Sequence, residues 1–86
     1  MGVSNKGIFL RVKKILAQFL KMSEDEIKKD SELRNDLGVD SVDFWEIIAK
    51  MEKEFKIEVS EEQPPVVNTV EDIVKVVEER IEISQK

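Results

Sequence analysis

The chain of 86 residues contains no cysteine and no histidine. Without cysteine it can have neither a disulfide framework nor a thiolate metal site. Without histidine it lacks the commonest general base and the commonest metal ligand. No apolar run approaches the roughly 20 residues of a membrane-spanning helix, and the N-terminus shows no signal-peptide pattern. We therefore expect a single cytoplasmic domain with no membrane insertion and no metal site.

Acidic residues are absent from the first quarter of the chain and outnumber basic residues in the remainder. Residues 1–22 contain five basic residues and no acidic one, so the remainder carries nine basic and all nineteen acidic residues. Such an acidic body should repel nucleic acid and attract basic surfaces of partner proteins. We therefore expect no nucleic-acid partner, and we interpret the basic start of the chain as the solvated face of a helix.

Apolar residues recur at spacings of three and four within about 6–20, 41–55 and 70–81. This period predicts three amphipathic helices that close one core. The expected fold is all-α, a small bundle of three to four helices with a long loop between the first and second helices. The predicted stripes are Ile8, Val12, Ile15, Leu16 and Phe19; Phe44, Ile47, Ile48, Met51 and Phe55; and Val70, Ile73, Val74, Val77 and Ile81. Residues 1–5 and 83–86 are expected to fray.

The connections between these helices carry their own local signals. Ser23-Glu24-Asp25-Glu26 has the form of a capping box and predicts one helical turn. Thr69, followed by Glu71 and Asp72, predicts the N-cap of the third helix. The adjacent prolines Pro64-Pro65 make a helix through this pair unfavourable, although a turn could begin at Pro65. We expect Val66 and Val67, just before the third helix, to cover the core.

The most informative stretch is Leu37-Gly38-Val39-Asp40-Ser41-Val42-Asp43-Phe44. Gly38 supplies the backbone freedom for a sharp entry into the second helix. The Ser41 hydroxyl then stands at a helix N-terminus, where free backbone N–H groups and aligned peptide dipoles favour negative charge. A phosphate ester on Ser41 would suit that position. For an Asp-Ser pair taken alone, the simpler interpretation, that Ser41 or Asp40 only caps the helix, is the favoured one.

The run from Asp36 to Asp43, with Glu46 and Glu52-Lys53-Glu54-Phe55 beyond it, resembles the modification site and recognition helix of acyl carrier proteins. The resemblance covers about residues 11–81 and implies a single acyl-carrier domain over residues 1–86. It implies a covalent 4′-phosphopantetheine on Ser41, beside Asp40, attached by a phosphopantetheinyl transferase. Acyl chains would then be held as thioesters and presented to acyl-transfer and chain-elongation enzymes with basic docking patches, in fatty-acid or specialised lipid or polyketide biosynthesis.

The same resemblance assigns partner recognition to the second helix. The matching positions are Asp40, Asp43, Glu46, Ala49 and Glu52, and we add Trp45 because of its place one helical turn beyond Ser41. Ala49 stands where the family usually has a larger apolar residue, and Lys50 and Lys53 interrupt its more uniformly acidic helix. These departures favour a restricted set of partners over a general fatty-acid carrier.

Trp45 lies one helical turn beyond Ser41, so the two residues share a face. Its indole could pack at the margin of the core with its N–H near water. It could instead line the route by which a bound chain or a partner reaches the serine, and there fill the space that a long acyl chain would enter.

The sequence contains no nucleophile–base pair and no glycine-rich phosphate loop, so we expect a non-catalytic protein. We also expect a monomer. An EF-hand is excluded, because with Gly38 at the sixth loop position the first ligand would be Leu33. Two other functions stay open. One is a peptidyl or aminoacyl carrier, although Val39 stands where that class often has a second glycine. The other is a helical interaction module without an arm.

Overall fold

The computed structural model describes residues 5–59 and 66–84. It contains three α-helices, α1 (Asn5–Leu20), α2 (Ser41–Phe55) and α3 (Val70–Ser84), and a single 3-10 turn at Glu24–Glu26. These residues form no β-strand, and the all-α prediction is confirmed. Of the helices in this part of the chain, none combines the length and apolar character needed to cross a membrane.

The helices extend slightly into the ends that were expected to fray. The first begins at Asn5, one residue before the predicted start, and the last continues to Ser84. Residues 1–4 and 85–86 lie outside the described residues. So does Pro64-Pro65, and the prediction of a non-helical segment there stays a prediction.

The core is formed by the three apolar stripes. α1 packs against both α2 and α3. Ten stripe residues are at most 2% exposed: Ile8, Val12, Leu16, Ile47, Ile48, Met51, Val70, Ile73, Val74 and Val77. The other predicted stripe residues pack at the margin, partly buried: Ile15, Phe19, Phe44, Phe55 and Ile81. Burial of each large side chain contributes roughly 1.5–3 kcal/mol before conformational entropy is subtracted.

The segment between α1 and α2 is anchored first by its 3-10 turn. Ser23 caps the turn, because its Oγ accepts a hydrogen bond from the Asp25 N–H at 3.3 Å. The Glu26 carboxylate in turn accepts one from the Ser23 N–H at 3.1 Å, which completes the predicted capping box. Ile27 follows and is 1% exposed, so the turn is fixed to the core.

The second half of this connection is joined to the segment that precedes α3. Glu32 and Thr69 form an isolated antiparallel bridge. Three backbone hydrogen bonds accompany it, from Leu33 N–H to the Asn68 carbonyl at 2.9 Å, from Val70 N–H to the Ser31 carbonyl at 3.1 Å and from Glu71 N–H to the Lys29 carbonyl at 2.9 Å. The residues that lead into α2 are therefore held against the start of α3.

One expectation about the core was wrong. Val66 is 87% exposed, whereas Val67 is partly buried against the core. The cause is the hydrogen bonding of the neighbouring Asn68 and Thr69 to the α1–α2 connection, which leaves only one of two consecutive valines facing inward.

Candidate modification site at the start of alpha2

The chain enters α2 through a left-handed residue. Gly38 has a φ of +68°, a conformation that glycine adopts without steric cost. A Cβ at this position would meet nothing within 4 Å, so the requirement for glycine is conformational. Val39 follows at 3% exposure, and its N–H donates to the Leu33 carbonyl at 2.8 Å. The turn thereby anchors Val39 in the core and brings the next two residues to the surface.

Asp40 is the N-cap of α2. Its backbone is extended, and its Oδ1 accepts a hydrogen bond from the Asp43 N–H at 2.8 Å. The Asp43 Oδ2 lies 3.4 Å from the Asp40 N–H and completes a reciprocal capping box. Of the two capping interpretations that the sequence left open, the structure supports the one through Asp40. Ser41 is therefore the first residue of the helix and its hydroxyl is not the cap.

The Ser41 side chain is exposed and stands among hydrogen-bond donors. Two of the four N-terminal amides of α2 are bonded, since Asp43 N–H donates to the cap and Phe44 N–H donates to the Asp40 carbonyl at 2.8 Å. Within the described residues no partner is seen for the N–H groups of Ser41 and Val42. An exposed hydroxyl at a helix start with two free amides fits the attachment of an anionic ester.

Arg34 is a site residue that sequence reasoning missed. Its Nη2 lies 3.4 Å from the Ser41 Oγ, as a donor to the hydroxyl, and both side chains are exposed. The two residues are seven positions apart and come together only because the chain turns at Gly38. No sequence period signals such a contact.

A pocket of about 250 Å³ opens beside Ser41. Its apolar lining comes from Leu33, Val39, Phe44, Trp45 and Val67, with Arg34, Asp40 and Ser41 at the polar side. Trp45 is partly exposed and meets Phe44 edge to face, with ring centroids 5.3 Å apart. The indole packs at the margin of the core and also forms part of the pocket wall.

The predicted recognition residues fall into different structural settings. Glu46 and Ala49 are exposed, and Val42 beside them is 68% exposed, an apolar surface residue that sequence reasoning did not assign to this face. Glu52 is half-buried, and its carboxylate accepts a hydrogen bond from the Val59 N–H at 3.0 Å. Its contact in this structure is therefore with the chain's own loop, where it helps to fix the end of α2. In residues 5–59 and 66–84, no group of three carboxylates is placed to hold a metal ion.

Comparison with known proteins bears on this site directly. A family described as "Phosphopantetheine attachment site" matches residues 10–77. A protein named "Acyl carrier protein" from Sulfurovum sp. (strain NBC37-1) is 38% identical over 72 residues, which cover 84% of this chain and 96% of that protein.

A solved structure shows a similar fold. The solution structure of the apo doublet acyl carrier protein from prodigiosin biosynthesis matches with a TM-score of 0.72 at 27% identity. The match covers 87% of this chain, which spans 36% of the length of that protein. Together with the family match over most of the sequence, these similarities confirm the resemblance drawn from the Asp36–Asp43 run. The chain belongs to the acyl carrier protein family, whose phosphopantetheine-attachment domain carries a covalent 4′-phosphopantetheine.

Proposed function

We propose that Ser41 carries the phosphopantetheine arm and that this protein presents acyl groups, held as thioesters on the arm, to biosynthetic enzymes. The observation that carries the proposal is the exposed Ser41 hydroxyl at the first residue of α2, released from capping because Asp40 performs that role. The two relatives named above are both called acyl carrier proteins, which supports acyl cargo over aminoacyl cargo. We place its use in fatty-acid or specialised lipid or polyketide biosynthesis, and its location in the cytoplasm.

The division of roles between Asp40 and Ser41 suits a residue that must be esterified. When bound, the arm supplies the thiol that this cysteine-free chain lacks. Because the cap is made by Asp40, esterification of Ser41 leaves the hydrogen bond between Asp40 and the Asp43 N–H in place. The free N–H groups of Ser41 and Val42, at the positive end of the helix dipole, would face the added negative charge.

The exposed face of α2 is the proposed docking surface. Val42, Glu46 and Ala49 lie along it at helical spacings and leave an acidic side chain between two small or apolar ones. Such a surface fits a basic patch on the phosphopantetheinyl transferase and on acyl-transfer and elongation enzymes. The protein itself is proposed to be a non-catalytic carrier, and a monomer.

Intact mass after incubation with coenzyme A and a broad-range phosphopantetheinyl transferase tests the attachment site. We expect the wild type to gain the mass of one phosphopantetheinyl group and Ser41→Ala to gain none. Ser23→Ala is a matched control, because Ser23 also stands at the start of a helical turn but serves as its cap. Modification that persists in Ser41→Ala would contradict the assignment, and a wild type that stays unmodified would favour an interaction module without an arm.

A further inference from the structure

Arg34 contacts the hydroxyl to which the proposed arm would be attached. Its Nη2 lies 3.4 Å from the Ser41 Oγ. Among the described residues no carboxylate lies within 4.0 Å of the Arg34 guanidinium, whereas Arg11 is paired with Glu54. The guanidinium of Arg34 is thus available to an anion at the one position where it already meets a serine.

Esterification of Ser41 would add negative charge to a crowded place. Asp40 and Asp43, whose carboxylates are engaged in the capping box, precede and follow the serine within two residues. Like charges at such short range repel, and exposed charges are only partly screened by salt. A nearby cation would offset this repulsion, and Arg34 is the cation that the structure places against Ser41.

We propose that Arg34 is a positioning residue that pairs with the phosphodiester on Ser41 and directs the first part of the arm along the pocket beside it. The phosphorus is bonded directly to Oγ, so its free oxygens come within reach of a guanidinium that already approaches Oγ. Arginine recognises phosphate through paired, charge-assisted hydrogen bonds. The inference rests on the proposed modification of Ser41.

The pocket gives this pairing a direction. Arg34 and Ser41 both line it, and Trp45 forms part of its apolar wall. A phosphodiester held by Arg34 lies at the mouth of the pocket rather than over the open face of α2. The arm would therefore leave the serine on the side of the bundle where apolar surface is available to cargo.

The chain has three arginines, and their side-chain Nε–H resonances provide an internal comparison. In 15N-labelled protein we expect the Arg34 Nε–H signal to shift, and its exchange with water to slow, when the apo form is converted to the holo form. The signals of Arg11, which is paired with Glu54, and of Arg80 on α3 should not move. An Arg34 signal that is the same in both forms would overturn the proposal.

Variants test whether the charge acts on the phosphate itself. In the holo protein the 31P resonance of the phosphodiester should shift on Arg34→Gln and lose its dependence on salt, because an exposed pair is screened. Arg34→Lys should restore part of the wild-type value, since lysine keeps the charge without the planar fork. Lys53→Gln removes one charge about 18 Å along α2 and should match the wild type.

Intact mass and the 31P resonance together separate failure of the attachment proposal from failure of the proposal for Arg34. If the transferase does not modify the wild type at Ser41, the attachment proposal fails. If modification is complete and the 31P resonance of Arg34→Gln is indistinguishable from that of the wild type, attachment stands and the role of Arg34 is refuted. Because Arg34 is exposed, its variants are expected to fold, which far-UV circular dichroism of the same samples checks.

Discussion

Replacing Asp40 by alanine should destabilise the apo protein, whereas replacing the adjacent Ser41 should not. The two residues are neighbours in sequence and both are of types that cap helices. In the structure Asp40 accepts the hydrogen bond from the Asp43 N–H, at 2.8 Å, while within the described residues the Ser41 hydroxyl has one long contact, with Arg34. Stability therefore separates the residue that forms the cap from the residue proposed to carry the arm.

The expected magnitudes differ clearly. Loss of an N-cap costs about 1 kcal/mol, within a range of about 0.5–2 kcal/mol. In a domain of this size 1 kcal/mol corresponds to a fall in Tm of roughly 4–8 °C. Asp40→Asn keeps the acceptor and loses only the favourable interaction of its charge with the helix dipole, about 0.3–1 kcal/mol. Ser41→Ala removes an exposed contact and introduces the best helix former, so its effect should stay within about 0.5 kcal/mol.

Urea unfolding of the four apo proteins, followed by circular dichroism, measures these differences. The slope of the free energy of unfolding against urea concentration should be the same in all four proteins, because the variants alter surface residues and not the area exposed on unfolding. Ser41→Ala should unfold at the same urea concentration as the wild type, and Asp40→Ala should unfold at a clearly lower concentration. Equal losses in Ser41→Ala and Asp40→Ala would mean that the serine shares the cap, and the separation of roles between Asp40 and Ser41 would be refuted.

Three further perturbations follow from the same structure. Glu46→Lys should lower the association constant for the transferase by up to about fivefold at low salt, as expected for one exposed ion pair. The control variant Glu79→Lys on α3 should leave this constant unchanged, and equal effects of the two variants would argue against docking on α2. Trp45→Ala should enlarge the pocket and lower the free energy of unfolding by about 1–3 kcal/mol, less than for a fully buried ring. It should also slow the hydrolysis of long-chain thioesters on the arm relative to short-chain ones. Unchanged hydrolysis across a chain-length series would leave the indole with a packing role alone. The Asp72 carboxylate accepts hydrogen bonds from the backbone N–H groups of Asn68 and Thr69, which hold its pKa below the ordinary value of 3.8. Since the pKa is lower in the folded state, this stabilisation is present above about pH 4 and is lost as the pH falls through the folded pKa. Asp72→Asn should therefore flatten the acid side of the stability profile, and an unchanged profile would contradict that role.

Local signals in the sequence were sufficient to predict the helices. The 3–4 spacing of apolar residues indicates which face of each helix is buried, and capping residues such as Ser23 and Thr69 indicate where the helical turns begin. The left-handed backbone of Gly38 could also be predicted, since few other residues adopt it without strain. All of these depend on interactions within a few residues along the chain.

Contacts between distant residues could not be read in this way. Glu52 meets the Val59 N–H because Lys56 ends α2 with a φ of +55°, a conformation that favours glycine or asparagine rather than lysine. Arg34 contacts Ser41 only because the chain turns at Gly38, and no helix or strand period predicts that contact. The sequence predicted partner recognition for Glu52 and gave no role to Arg34. For both residues the decisive information lay in the tertiary path of the backbone.

The bridge between the α1–α2 connection and the segment before α3 has a consequence for biogenesis. The Leu33 N–H donates to the Asn68 carbonyl, and the Val70 N–H donates to the Ser31 carbonyl. Because the partners in each bond are far apart in the chain, this junction can close only when α3 is in place. During synthesis, the turn that delivers Ser41 should therefore acquire its final shape only when α3 has emerged and docked. We expect a transferase that recognises this shape to ignore nascent and partly folded chains, so that attachment of the arm would also mark completed folding.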